Sequence, residues 1–192
     1  VEYLNAKAEI INSFNSNSFK TVSISMSSNN YVRMQTERAK MVSNYISSGD
    51  LWTGNNQYFK VKVLDDSIKT KGEIRLFGMN PDHYRNSNAH SFRIKFDGKT
   101  GYGSRKFNYL NPRSRDFITD PLLNIIYGKI SKGIKINYDL NRVILNKKNY
   151  GLLLKEDFFD KYLIEQNQRR ESVIFEIYND SLKFNHIGDN NE

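Results

Sequence analysis

Alternation of polar and apolar residues is the feature that most limits what this chain can fold into. From Lys71 to Phe96 it reads KGEIRLFGMNPDHYRNSNAHSFRIKF. Ile74 and Leu76 alternate with Glu73, Arg75 and Phe77, and Phe92, Ile94 and Phe96 alternate with Arg93 and Lys95. A period of two puts successive side chains on opposite faces of a strand, so each segment packs one face on a core and leaves the other polar. Arg75, Arg93 and Lys95 then lie on the polar faces of two strands joined by a polar connection. Such a basic surface is either structural or a holder of phosphate.

The same pattern recurs on both sides. Val22, Ile24 and Met26 alternate with Thr21, Ser23 and Ser25, and Phe59, Val61 and Val63 alternate with Lys60 and Lys62. Segments 58–64 and 71–77 suit an antiparallel hairpin. Between them, Ser27-Ser28-Asn29-Asn30 is a cluster of N-cap residues. Met34, Met41, Val42, Tyr45 and Ile46 follow at helical spacing, with Gly49 placed to end the helix. Asp97-Gly98 and Gly101-Tyr-Gly103 mark a glycine-rich turn, and Lys106–Leu110 is a further strand. Asn111-Pro112 opens a helical region whose apolar residues, Phe117 to Ile130, read as core. Pro121 should start a helix or kink one, and Gly128 or Gly133 should end it. Tyr138–Leu145 and Tyr150–Leu154 read as a hairpin turning at 146–149. A short helix covers Phe158 to Ile164, and a last strand covers Ser172 to Tyr178. The order predicts an α+β fold with a mainly antiparallel sheet and flanking helices. An N-terminal arm over 1–18, one domain over 19–184 and a flexible tail over 185–192 complete the division.

Composition narrows the function classes. The chain has 192 residues, enough for one domain with a proper core. It has no cysteine, which removes disulfides, thiolate metal sites and cysteine nucleophiles. It carries three histidines, His83, His90 and His186, without the spacing of a helical metal site. No apolar run approaches the roughly 20 residues that cross a bilayer, and no signal-peptide pattern is visible. The sequence begins at Val1 and not at Met, so it is expected to be processed or cut from something longer, and a removed leader stays open. The lack of cysteine is compatible with an extracytoplasmic or cell-surface location, which is favoured. A formal charge of +8 favours anionic partners: nucleotide, nucleic acid, polyphosphate, acidic polymer or membrane surface. The competing reading is that the charge serves solubility alone.

Several segments together resemble the CotH family of spore-coat-type, atypical protein kinases. IRLFGMN followed by SFRIKFDGK is similar to the family's arginine-glycine-asparagine element and its lysine-bearing strand. Asp120-Pro121-Leu122-Leu123 falls where the family starts an Asp-containing helix. VILNKKNYGLLLKEDFFDKYL looks like its Asn-Gly hairpin, Tyr-x-x-x-Glu element and helix, and NQRRESVIFEIYND continues in order. The likeness runs from about Val22 to Asp180 and is carried by order and spacing. Departures are the hairpin glycine, replaced at Lys147 or Lys148, Leu152 in place of an aromatic residue, and Glu176 where a basic residue is common. The chain stops at Glu192, before the distal region that supplies the family's catalytic carboxylates. The resemblance therefore implies the N-terminal, nucleotide-binding part of such a kinase, or a variant without the rest.

What the resemblance implies is an atypical kinase-like N-terminal part that binds ATP and Mg. A strand lysine reaching nucleotide phosphates, oriented by a glutamate from a neighbouring element, is the usual arrangement for phosphoryl transfer. By motif position Lys95 is that lysine and Glu156 its partner, with Arg75 and Arg93 adding phosphate contacts, since guanidinium binds oxyanions bidentately. Catalytic residues and a protein metal site are not assigned. A protein phosphoacceptor is the implied partner. Against this, Lys95 and Arg93 would be solvated strand residues, and Glu156 would sit in a helix's first turn, where a carboxylate suits the dipole. Asp157 and Asp160, three apart, read as sharing a helix face. The alternative function is a non-catalytic module for an anionic surface polymer, polysaccharide or polyphosphate. Nucleic-acid binding ranks last, because charge alone supports it.

Overall fold

The structure is a computed structural model. It describes residues 19–49, 51, 57–65, 68–97, 104–131, 133–170, 174–178 and 181–185. The expected arm over 1–18, the glycine-rich turn at 98–103 and the tail beyond Asn185 lie outside the described residues.

The alternating segments become strands: β1 (Thr21–Ser25), β2 (Phe59–Asp65), β3 (Ile68–Leu76), β4 (Phe92–Phe96), β5 (Lys106–Leu110), β6 (Tyr138–Leu145) and β7 (Lys148–Asp157), the last running beyond the expected Tyr150–Leu154 at both ends. Their order is β1-β2-β3-β4-β5-β7-β6, and the sheet closes on itself as a seven-stranded barrel. This corrects the expectation of an α+β fold with a kinase-like sheet and flanking helices. The neighbours are antiparallel except for the closing pair, in which β1 runs parallel to β6 with Val22 opposite Val143 and Ile24 opposite Leu145. Alternation demands one buried face, but a closed barrel meets that demand as well as a sheet covered by helices does.

Inside the barrel stand Val22, Ile24, Phe59, Val61, Val63, Ile74, Phe92, Ile94, Phe96, Phe107, Tyr109, Val143, Leu145 and Leu153, one continuous core. Gly72 takes an inward position opposite Val61 and Phe96. A Cβ there would lie 2.5 Å from the Lys95 carbonyl oxygen, so only glycine lets β3 and β4 come this close. β6 and β7 are joined by a two-residue turn, Asn146-Lys147, with both residues at positive φ, as a primed hairpin turn needs. The Asn146 side chain accepts the Met26 amide at 2.8 Å and ties this turn to the end of β1.

Helix α1 (Ser28–Ser48) starts at Ser27, whose hydroxyl accepts the Asn30 amide, and ends at Gly49 with φ 73. It buries Met34 and Met41, and Met34 joins the barrel core. Helix α2 (Thr119–Ile130) meets expectation at its start and departs from it at its end and over its apolar face. Pro121 lies in its first turn, and it ends at Ser131 and not at a glycine. Of its residues only Pro121 is buried, while Leu123, Tyr127 and Ile130 are exposed. Helix α3 (Lys161–Gln166) is capped by the Asp160 carboxylate, which accepts the Leu163 amide. Asp157 is the last residue of β7, so Asp157 and Asp160 share no helix face. The final strand pairs with an unforeseen one, giving a hairpin of β8 (Ile174–Tyr178) and β9 (Ser181–Asn185). No described helix is long and apolar enough to cross a membrane.

Candidate functional site

The outward residues of the barrel form rows across the strands, because paired positions of adjacent strands point the same way. One row is polar over five strands. Arg75 of β3 is opposite Arg93 of β4, Arg93 opposite Asn108 of β5, Asn108 opposite Glu156 of β7, and Glu156 opposite Tyr138 of β6. The register thus gathers three of the four residues singled out from the sequence. It also places Glu156 on a strand and not in the first turn of a helix.

From Arg93 to Tyr138 the row is bonded continuously. Arg93 Nε donates to Asn108 Oδ1 at 2.7 Å, and Asn108 Nδ2 donates to Glu156 Oε2 at 2.7 Å. The Tyr138 hydroxyl donates to Glu156 Oε1 at 3.1 Å, and Arg115 Nη2 lies 3.5 Å from the same oxygen. Arg115 comes from the turn of 3-10 helix at Pro112–Arg115, and its Nε also faces Asp120 at 3.5 Å. At the other end, Arg75 Nε donates to the Tyr58 hydroxyl at 3.1 Å. Glu156 is only 7% exposed. A carboxylate so buried is tolerated because both oxygens are hydrogen-bonded and a guanidinium stands beside it. Burial and the Glu156 carboxylate push the Tyr138 phenol well up from its ordinary value, so Tyr138 stays a donor.

Aromatic rings fix the guanidinium of Arg93. Its Cζ lies 4.4 Å from the Phe77 ring centre and 4.6 Å from that of Phe158, and the Lys106 ammonium lies 4.9 Å from Phe158. Such contacts hold a planar cation in one orientation.

Lys95 is on the same outer face, one pleat along, and is exposed. Its cross-strand neighbours are Glu73 and Lys106. The structure therefore does not pair Lys95 with Glu156; the cations that hold Glu156 are Arg115 directly and Arg93 through Asn108. Asn108, Arg115, Tyr138, Phe77 and Phe158 were not read as site residues. Asn108 had a signal, since it is the polar outward position between the inward Phe107 and Tyr109. Arg115 had none, because only the turn after β5 brings it to Glu156.

The donors present fit the phosphates of a nucleotide: Arg75, Arg93, Lys95 and Lys106 stand on two adjacent outward rows. They do not form a metal cage. Among the described residues no three His, Asp or Glu gather as metal ligands, so magnesium would have to arrive coordinated mainly by phosphate oxygens and water.

A second polar group lies inside the barrel. Lys155 of β7 follows the inward Leu153, and its ammonium stands 4.2 Å from the Phe107 ring centre. Burial lowers its pKa, while Asp65, Asp157 and Asp139 pull it back up. Asp65 is itself buried, at the inward end of β2.

No family model matches the chain, and no curated protein matches it. The likeness to CotH therefore rests on the order of its motifs.

Proposed function

We propose that this chain is a nucleotide-binding module that holds Mg-ATP on the outer face of its barrel, serving phosphoryl transfer of the kind the CotH resemblance implies. One observation carries the reading: the bonded row from Arg93 through Asn108 to the buried Glu156. In this row Glu156 is an anchor. With both oxygens engaged, it positions Asn108 and Arg115 and leaves phosphate contact to the cations. Arg93, oriented by Asn108 and by two aromatic rings, presents a fixed guanidinium, and Arg75 stands directly opposite it. Lys95 and Lys106 supply ammonium groups on the next row. ATP would bring the transferable phosphoryl group, and these cations would hold its phosphates and offset their charge.

The test is calorimetric titration with ATP, with and without magnesium, on the native chain and on Arg93→Ala and Lys95→Ala. Saturable, magnesium-dependent binding that weakens about tenfold or more in Arg93→Ala, and less in Lys95→Ala, is expected. Absence of binding at millimolar ATP would overturn the reading. Salt-sensitive binding of an acidic polymer, without preference for nucleotide, would point to the non-catalytic alternative.

A further inference from the structure

A cleft of about 600 Å³ opens where β1 ends and α1 begins, lined in part by Ser27, Asn30, Lys60, Lys62, Lys71 and Asp97. It belongs to a different part of the outer face from the Arg93–Glu156 row. Lys62 of β2 and Lys71 of β3 are paired directly across the two strands. Like charges in directly opposed positions repel and destabilise a sheet. Lys60 adds a third ammonium group one pleat along on β2, opposite Glu73. None of the three lysines is in an ion pair with a carboxylate among the described residues. Among the described residues, the other charged group lining the cleft is Asp97, whose backbone amide donates to the Lys71 carbonyl at 2.9 Å. A concave space whose described lining sets three cations against one carboxylate has the electrostatics of an anion site.

We propose that this cleft binds a condensed phosphate anion, a short linear chain of phosphates, at a site separate from the nucleotide row. Two opposed ammonium groups and a third one pleat along match an anion with more than one phosphate. Lysine serves such a ligand as a compact point charge with three donors. The ligand relieves the repulsion that the register imposes between Lys62 and Lys71. The proposal stands whether or not ATP binds at Arg93.

The test uses the whole chain and inorganic tripolyphosphate. Calorimetry and thermal melting are run on the native chain, on Lys62→Ala/Lys71→Ala and on Lys71→Glu, with sodium sulfate at matched ionic strength as the control anion. Tripolyphosphate should raise the melting temperature of the native chain, and the double variant should bind it at least tenfold more weakly. Without ligand, Lys71→Glu should melt above the native chain, because an opposed like-charge pair becomes an opposed ion pair. All three lysines are exposed, so these variants keep the core intact. Equal affinity in the double variant, or an equal melting shift from sulfate, would overturn the proposal. Loss of ATP binding in Arg93→Ala with tripolyphosphate binding retained would separate the two sites. Loss of both ligands in that one variant would show a single shared site and also overturn the proposal.

Discussion

Asn108→Ala tests the row of the outer face by removing its middle link. Asn108 is 5% exposed and makes two bonds to charged groups, one from Arg93 and one to Glu156, each 2.7 Å long. A hydrogen bond to a charged group contributes about 1.5–3 kcal/mol net. The two losses are not equal. Arg93 is partly exposed and can recover solvent, so its share falls at or below the lower end. Glu156 is buried and cannot, although Tyr138 and Arg115 still serve its other oxygen. The loss should therefore come to about 2–4 kcal/mol of folding stability. Urea denaturation followed by circular dichroism reads this as a lower midpoint at constant slope. Asn108→Asp sharpens the test, since it sets a second carboxylate against Glu156 where the amide now donates. Two carboxylates in one buried site raise the pKa of the pair above its unfolded value, because one of them keeps a proton. The folded state then binds more protons than the unfolded chain, so the deficit of Asn108→Asp should shrink as pH falls from 8 to 5 and grow as pH rises. A change below about 0.5 kcal/mol in Asn108→Ala, the size expected of an unremarkable surface site, would refute the claim that Glu156 depends on this link.

Three further outcomes follow from particular contacts. Gly72→Ala drives a methyl group against the Lys95 carbonyl, and should destabilise the barrel by about 1–3 kcal/mol as overpacking does; a neutral urea midpoint would contradict the close β3–β4 approach. His90 is fully buried against Tyr150 and Phe92, and burial, then Arg38, lowers its pKa from 6.5 to about 3, with the Ser87 backbone pulling back. Its stabilising effect is thus complete above pH 6.5 and declines as pH falls towards 3, at up to about 1.4 kcal/mol per pH unit. His90→Phe should flatten the stability profile between pH 6.5 and 4.5, and profiles parallel to the native one would contradict the assignment. Phe158→Ala removes one of the two rings that contact the Arg93 guanidinium, and calorimetry should show weaker Mg-ATP binding, by about threefold to tenfold for a cation–π contact of roughly 0.5–1.5 kcal/mol; unchanged affinity would show that the ring does not position Arg93.

What the sequence revealed was local. Strand alternation, the Ser27 cap and the Gly49 stop depend on residues a few positions apart, and each lies where it was read. The outward placement of Arg75, Arg93 and Lys95 followed from the same alternation. The barrel did not, because its closure joins residues 21–24 to residues 142–145, and no local period records such a pairing. The apolar positions of α2 were read as core, yet Leu123 and Ile130 are exposed, since helical spacing of apolar residues does not say whether anything covers them. The Lys95–Glu156 partnership failed on register. One pleat separates Lys95 from the row of Glu156, and register across β4, β5 and β7 is a property of the assembled sheet. That register put Arg93, with Asn108 between, in the place assigned to Lys95.

The central claim is that Mg-ATP meets the outer face at Arg93, on the row that Glu156 anchors. Nuclear magnetic resonance of the labelled chain, following the Arg93 Nε–H and Asn108 side-chain amide signals during titration with Mg-ATP, tests it most directly. The account predicts saturable shifts of both signals at micromolar to millimolar ligand, absent in Arg93→Ala for the Asn108 amide. Signals that stay still at millimolar Mg-ATP would contradict it.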